Sequence, residues 1–302
     1  MSDADTFLAV INPAAGGGRS QKLVPETLDR LRAGGIRLDV IETTAPGQGA
    51  NLVRDAYARG YRKFIAVGGD GTSYEVVNGL FPRRESDGPA TLAFLPLGTG
   101  NSFLREFSDR GVEHAIEALL AGRSQPCDVL RLRHAKGVLH YINLLSMGFA
   151  ADVATLRARR FSGWGELGYQ SSIFISLARF RRRPFPVRVD GEADFDRRPC
   201  LFLTFNNSKF TGGTMMIAPK AEVNDGLIEY VRWGPIGRLG LIRNLPTLYD
   251  GTHIHHPLAE RRDAKRVDFE LDAPVDVMVD GEVLTLQCQA LDVLPSALKV
   301  VV

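Results

Sequence analysis

Along the first 127 positions, short apolar runs alternate with stretches striped at helical spacing. Phe7 to Ile11 predicts a strand that breaks at Asn12-Pro13, after which Leu23, Leu28 and Leu31 stripe a helix stopping at Gly34-Gly35. Ile36 to Glu42 alternates as a strand, and Gly49 to Arg59 reads as a helix. Phe64-Ile65-Ala66-Val67 is apolar throughout, as a strand buried on both faces requires. A helix begins near Tyr74, with Thr72 and Glu75 at the spacing of a capping box. A fourth strand is predicted at Thr91 to Leu95, followed after its Gly-rich loop by Phe103 to Phe107 and a second helix at Val112 to Leu120. Four strands with intervening helices predict a doubly wound α/β sheet.

After Pro126 the pattern turns β-rich. Val129 to Arg133, Val138 to Leu145, Val187 to Val189, Leu201 to Phe205, Leu227 to Arg232, Val267 to Leu271, Val275 to Val279 and Val283 to Gln289 read as short strands of an antiparallel sandwich. Helices are predicted at Ala150 to Arg160, Trp164 to Arg182 and Ile236 to Leu248. The expected division is an α/β domain over 1–127 and a β-rich domain over 128–297, with 298–302 returning to the first as an added strand.

Composition sharpens this only modestly. With 302 residues, 44% hydrophobic and 24% charged, the chain can bury two cores. A net charge of +2 gives no general basis for a nucleic-acid partner. Cys127, Cys200 and Cys288 are odd in number, scattered and outside any C-x-x-C pattern, which predicts reduced, core-filling thiols of a cytoplasmic protein. The N-terminus carries acids and too short an apolar run for a signal peptide, and no 18-residue uncharged stretch occurs.

The candidate chemistry lies in three Gly-rich loops, after Ile11, Val67 and Leu95, all expected at the carboxyl edge of one sheet. Gly68-Gly69-Asp70-Gly71 is a strand-to-helix turn in which phosphate oxygens can approach backbone N–H groups, at the positive end of the following helix. Asp70 would repel a bare phosphate, so its place there argues for Mg²⁺ bound directly or through water. The spacings of a dinucleotide fingerprint and of a P-loop are both absent. A turn that merely reverses the chain is the plainer alternative for these four residues.

The loops NPAAGGGR, VGGDGTSYEVVNGL and LPLGTGNSF, in this order, resemble the catalytic domain of the diacylglycerol kinase family of lipid kinases, whose relatives phosphorylate sphingosine and ceramide. Later segments resemble the family too, NSKFTGGTMMIAPKAEVNDGLIEYV and VMVDGEV, so the match covers most of the chain. The resemblance implies phosphorylation of a lipid hydroxyl by ATP, with an N-terminal doubly wound, NAD kinase-like α/β domain and a β-rich second domain. It implies nucleotide contacts at Asn12, Gly16, Arg19, Thr43, Gly68, Gly69, Asp70, Gly71, Thr72, Glu75, Gly98, Thr99, Gly100 and Asn101. It also implies a structural Mg²⁺ held by the Asp225 carboxylate with backbone oxygens of Glu222 and Leu227. Such kinases usually carry Asp or Ala where this chain has Ser102, and many carry Lys where it has Gly17, with Arg19 nearby as a substitute charge. A lipid substrate leaves room for peripheral contact at the inner membrane surface, and a homodimer is also compatible. A soluble-metabolite kinase of the NAD kinase type and a non-catalytic nucleotide-binding protein are the competing readings, since GGDG occurs in NAD kinases and phosphofructokinases as well.

Asp190-Gly191-Glu192 and Asp280-Gly281-Glu282 are identical tripeptides, each a candidate hairpin turn. The second follows the apolar strand VMV and the segments the resemblance requires before it, which makes Glu282 the candidate general base. Glu192 sits among Asp190, Asp194 and Asp196, in a stretch that reads as solvated. The segment Trp164 to Pro186 combines an apolar helical stripe with Arg179, Arg181, Arg182 and Arg183, and is either a core helix with a basic end or a membrane-facing wall. His253, His255 and His256 lack a Cys or acid at ligand spacing and read as surface histidines.

Overall fold

The structure is a computed structural model that describes residues 3–15, 19–83, 85–98, 101–160, 175–176 and 182–302. It divides into two compact units, Met1–Val129 with Leu294–Val302, and Leu130–Val293.

In the first unit, strands β1 (Phe7–Ile11), β2 (Leu38–Glu42), β3 (Lys63–Gly68) and β4 (Ala90–Pro96) are parallel, in the order β2-β1-β3-β4. The order reverses between β1 and β3, so this sheet has a switch point at the carboxyl ends of those two strands. The central strand β3 is sheathed on both sides, with Phe64, Ile65 and Val67 wholly buried, which is why its sequence shows no alternation. Edge strand β2 is more exposed, with Asp39, Val40 and Glu42 open to solvent.

Helices α1 (Arg19–Ala33) and α4 (Gly111–Ala121) bury Val24, Leu28, Leu31, Ile116 and Leu119 against one face of the sheet. Helices α2 (Gln48–Ala58) and α3 (Asp70–Leu80) pair with each other elsewhere in the unit. Leu23 was expected in the buried stripe of α1 and is instead exposed; Val24 takes its place, one residue round the helix.

The second unit begins within β5 (Ser124–His134), which pairs with β6 (Gly137–Tyr141). Six antiparallel strands follow one another across a sheet in the order β13-β12-β9-β7-β15-β16. They are β7 (Leu144–Gly148), β9 (Phe202–Asn206), β12 (Ile228–Trp233), β13 (Ala259–Ala264), β15 (Val275–Val279) and β16 (Glu282–Leu286). Strand β8 (Val187–Val189) pairs with β14 (Arg266–Phe269), and β14 with the start of β17 (Cys288–Val301). Phe205 of β9 meets Phe269 of β14 edge to face, with ring centres 5.3 Å apart, joining the two layers of the predicted sandwich. Helix α5 (Phe149–Arg160) follows β7, and β10 (Phe210–Thr211) and β11 (Met215–Met216) form a small hairpin.

The outer face of the six-stranded sheet is covered as well. Ile217, Ala218 and Ala221 pack there with Leu241 of α6 (Arg238–Asn244) and Leu248 of α7 (Thr247–Asp250), over Phe202, Val231 and Trp233.

Several predicted elements are divided. Val138 to Leu145 is two strands because the N–H groups of Ile142, Asn143 and Leu144 go to the Asp280 carboxylate, not to a strand neighbour. Ile236 to Leu248 breaks into α6 and α7 around Pro246, whose ring cannot supply a helical N–H. Val283 to Gln289 ends one strand and begins another. Strand β13, AERRDA, has no apolar alternation and was not predicted; it is an edge strand whose Arg261 pairs with the buried Glu229 of β12 at 2.7 Å. The segment Trp164 to Arg181 lies outside the described residues apart from 175–176, and the helix predicted over it is not described.

Candidate active site

The ends of β1, β2, β3 and β4 lie side by side at one edge of the first unit's sheet. Asn12, just past β1, donates its N–H to the Val67 carbonyl at 3.2 Å, and its side-chain oxygen accepts the Ala14 N–H at 3.1 Å. Thr43, past β2, donates both its N–H and its hydroxyl to the Ile11 carbonyl, at 2.9 and 3.3 Å. The loops after these strands are thereby tied to the switch point. Gly16, Thr99 and Gly100 lie outside the described residues; Arg19 opens α1.

The loops after β3 and β4 touch backbone to backbone. The Gly98 N–H donates to the Gly68 carbonyl at 2.9 Å, and a Cβ at Gly98 would stand 2.7 Å from the Gly69 nitrogen. Only glycine at 98 permits that approach. Asn101 closes its own loop by donating to the Gly98 carbonyl at 3.1 Å.

Asp70 is sunk into this junction. Both its carboxylate oxygens accept the Ser102 N–H, at 3.0 and 3.2 Å, so the acid of the first loop fixes the second. Burial raises its pKa above the usual carboxylate value, while hydrogen bonds from Ser102 and Phe103 pull it back. Ser102 is itself 3% exposed, and a short side chain is what the space beside a buried carboxylate accommodates. A cavity of about 10 Å³, room for one water, adjoins Asp70 between Ser73, Phe94, Asn101 and Phe103.

The predicted capping box does not form. Helix α3 starts at Asp70 with Gly69 as its cap, and no side chain caps it. Glu75 instead reaches across to the neighbouring helix, accepting the Gly47 N–H at 2.8 Å and the Gly49 N–H at 2.6 Å, and thus caps α2. Thr72 is buried beside Gly68, and its hydroxyl has no partner among the described residues. A buried orphan hydroxyl, the N-terminal turn of α3 and a cradle that a Cβ would fill are together the features a phosphate group fits.

In the second unit the loop Pro219 to Leu227 turns at Gly226, where φ is 73°. Asp225 accepts the Leu227 N–H at 2.9 Å, and Glu222 and Asp225 are both exposed. The described residues hold no cluster of three His, Cys, Asp or Glu side chains; the expected ligand set, one carboxylate and two backbone oxygens, is of the all-oxygen kind that Mg²⁺ takes.

The two Asp-Gly-Glu segments are both tight turns, the second closing the β15–β16 hairpin. Asp190 and Asp280 each have φ of 46°, followed by Gly191 at 75° and Gly281 at 86°. Asp280 is 3% exposed, and its carboxylate accepts N–H groups from Ile142, Asn143 and Leu144 at 2.9 to 3.0 Å. Glu282 opens β16 with an exposed side chain. The Asp190 carboxylate accepts from Lys265 and Arg266 at 2.9 and 2.8 Å, and Glu192 is paired with Arg262. The capture of three backbone N–H groups by Asp280 left no mark in the sequence beyond the Asp-Gly dipeptide.

His253 departs from the surface histidine expected. It is 1% exposed, with Nδ1 3.2 Å from the Thr247 carbonyl and Nε2 3.1 Å from that of Ile217, and burial lowers its pKa. Its role is to hold the segment around Ile217 against Trp233. Arg182 is exposed, but Arg183 is ion-paired with Asp152 and lies over the Phe185 ring, which takes it out of a purely solvent-facing basic cluster.

Comparison with known proteins places these features in a family. The diacylglycerol kinase catalytic domain matches residues 6–132, and the YegS C-terminal NAD kinase beta sandwich-like domain matches 143–302. A Mycobacterium tuberculosis protein named diacylglycerol kinase is 27% identical over 97% of this chain and 93% of its own length. A Chromohalobacter salexigens protein named "Probable lipid kinase YegS-like" is 31% identical over 93% of this chain and 87% of its own. A diacylglycerol kinase structure from Bacillus anthracis has the same fold, with a TM-score of 0.72 at 19% identity, over 98% of this chain and 96% of that one.

Proposed function

The chain belongs to the diacylglycerol kinase family of lipid kinases and transfers phosphate to a lipid hydroxyl; on that basis we propose that ATP is its donor and diacylglycerol, or a related lipid alcohol, its acceptor. The observation that carries this reading is the junction at Asp70, where two Gly-rich loops are locked together at the switch point of the first unit's sheet.

Backbone amides of Gly69 to Gly71 and of residues 99–101 hold the nucleotide phosphates, with the Thr72 hydroxyl as a further donor. Asp70 keeps those loops in register, and the single-water cavity beside it suits water-mediated contact with Mg²⁺. Bound Mg²⁺ would neutralise phosphate charge. A second, structural Mg²⁺ would take Asp225 with the backbone oxygens of Glu222 and Leu227. Glu282 accepts the proton of the lipid hydroxyl, and Asp280 positions it by anchoring the turn. Phosphoryl transfer has little covalent chemistry for a protein to perform, so holding and orienting these groups supplies most of the catalysis.

The test is incubation of the full chain with γ-labelled ATP and Mg²⁺, with detergent-dispersed diacylglycerol, NAD or no acceptor in parallel. Label is expected in the lipid alone. Label in NAD, or release of phosphate without any labelled acceptor, would overturn the assignment.

A further inference from the structure

Helix α6 is apolar on two opposite sides. Its inner side is accounted for, since Leu241 is 1% exposed and packs with Ile236 and Leu248 on the outer face of the six-stranded sheet. Its outer side shows Leu239 at 83%, Ile242 at 48% and, one turn into α7, Tyr249 at 50%. Positions 239, 242 and 249, with exposed Pro246 between them, recur at the helical period, and the backbone at Leu245 and Pro246 keeps helical dihedrals across the junction of α6 and α7, which carries that spacing through to positions where polar residues are the rule.

Three arginines lie along this face. Arg238 and Arg243 flank the exposed aliphatics, and the guanidinium of Arg182 comes alongside, 3.5 Å from where a Cβ on Gly237 would stand. The acid in the stretch 235–250 is Asp250, whose carboxylate is taken up by the N–H and hydroxyl of Thr252 at 2.9 and 2.6 Å.

We infer that α6 and α7 form a docking surface for an anionic lipid bilayer, seating the enzyme on the membrane that holds its acceptor; this rests on the lipid-kinase reading above. Aliphatic side chains beside arginines and a tyrosine match the boundary between acyl chains and phosphate headgroups, where the guanidiniums reach the phosphates and the tyrosine ring spans the two. A protein partner fits less well. A seven-residue helix is about 10 Å long and, with the short α7 after it, presents only Leu239, Ile242 and Tyr249 as large exposed hydrophobics, far short of the roughly 800 Å² per partner of a stable interface.

The experiment compares three forms of the full chain: unsubstituted, Leu239→Asp/Ile242→Asp, and Arg238→Gln/Arg243→Gln. Each is sedimented with phosphatidylcholine vesicles with and without phosphatidylglycerol over a range of salt. The Asp pair should lose vesicle binding at least about tenfold under every condition, through both lost apolar contact and added negative charge. The Gln pair should lose about tenfold on phosphatidylglycerol vesicles at low salt and show a flattened salt dependence. Phosphorylation of a short-chain, water-soluble diacylglycerol should be unchanged in both, while that of long-chain diacylglycerol in vesicles falls with binding. Leu239→Gln alone, at so exposed a position, keeps the fold and should show a smaller loss in the same direction.

Vesicle binding unaltered by both double substitutions would overturn the assignment. So would a change from dimer to monomer in the Asp pair with vesicle binding retained, which would make the face a contact between copies. If the unsubstituted chain phosphorylates neither form of diacylglycerol, the kinase reading fails, and sedimentation still decides the docking surface.

Discussion

The tripeptide Asp-Gly-Glu occurs at 190–192 and again at 280–282, and both copies fold into the same turn, with the same φ at Asp and the same αL glycine after it. In both, the Asp N–H donates to a carbonyl of a neighbouring segment, Arg266 or Leu144, while its carboxylate accepts N–H groups from that segment. What differs is water. Asp190 is exposed and binds two N–H groups; Asp280 is buried, binds three, and its capture ends one strand and starts the next. The following glutamates diverge accordingly, Glu192 into an ion pair with Arg262 and Glu282 onto the exposed start of a strand fixed from beneath. Local sequence sets the turn, and the surroundings decide whether it is decoration or foundation.

The sharpest way to break the comparison is to remove each aspartate. Asp280→Ala should destabilise the protein by about 3–5 kcal/mol in denaturant unfolding, because three buried N–H groups lose a charged acceptor. Asp190→Ala should cost about 1 kcal/mol, since water replaces its exposed carboxylate. Equal losses would mean that burial does not separate the two turns.

Acid should reveal the same asymmetry. His140, on the strand leading into Ile142 to Leu144, is 3% exposed, and burial together with nearby Arg131 lowers its pKa from 6.5 to about 4. The unfolded chain therefore takes up this proton first, so stability is lost as pH falls from about 6.5 towards 4, by up to about 3 kcal/mol. His140→Asn should remove most of that slope in unfolding measured at pH 7 and pH 4.5; an unchanged slope would assign the acid sensitivity elsewhere.

Turnover sharpens the comparison further. Glu282→Gln should lower kcat roughly 10²-fold with ATP affinity and unfolding midpoint little changed, whereas Glu192→Gln should leave kcat as it was. A reversed result would move the base to Glu192. The smallest effect is the one the two turns should share. Gly191→Ala and Gly281→Ala force a Cβ into the αL region and should each cost about 1 kcal/mol, so a large gap between them would show that the turns are not equivalent in backbone strain.

Much of the fold was legible because its signal was local. Phe7–Ile11, Val187–Val189 and Val275–Val279 are strands with the bounds that apolar patterning predicted. The misreadings have a common cause, a side chain whose partner is distant in sequence. Glu75 sits at capping distance from Thr72, yet its acceptor oxygens go to Gly47 and Gly49, where helix α2 needs them. Strand β13 is polar because Glu229 is buried and requires Arg261 diagonally across from it, a demand set by β12 and invisible in AERRDA itself. The glycines of the candidate site were conspicuous as a group. That Asp70 would turn inward to hold Ser102 was not, since a carboxylate in a glycine loop reads the same whether it faces ligand or backbone.

The place of β4 in its sheet bears on how the protein is made. One flank of β4 is covered by β3, but the other pairs with Leu298, Lys299 and Val300, translated about two hundred residues after it. At typical elongation rates a ribosome spends roughly 10–40 s over that interval, and throughout it an apolar strand edge stands without its partner. The nascent chain therefore carries an open strand edge through most of its synthesis, and the first unit's sheet gains its covering strand only when the last residues arrive.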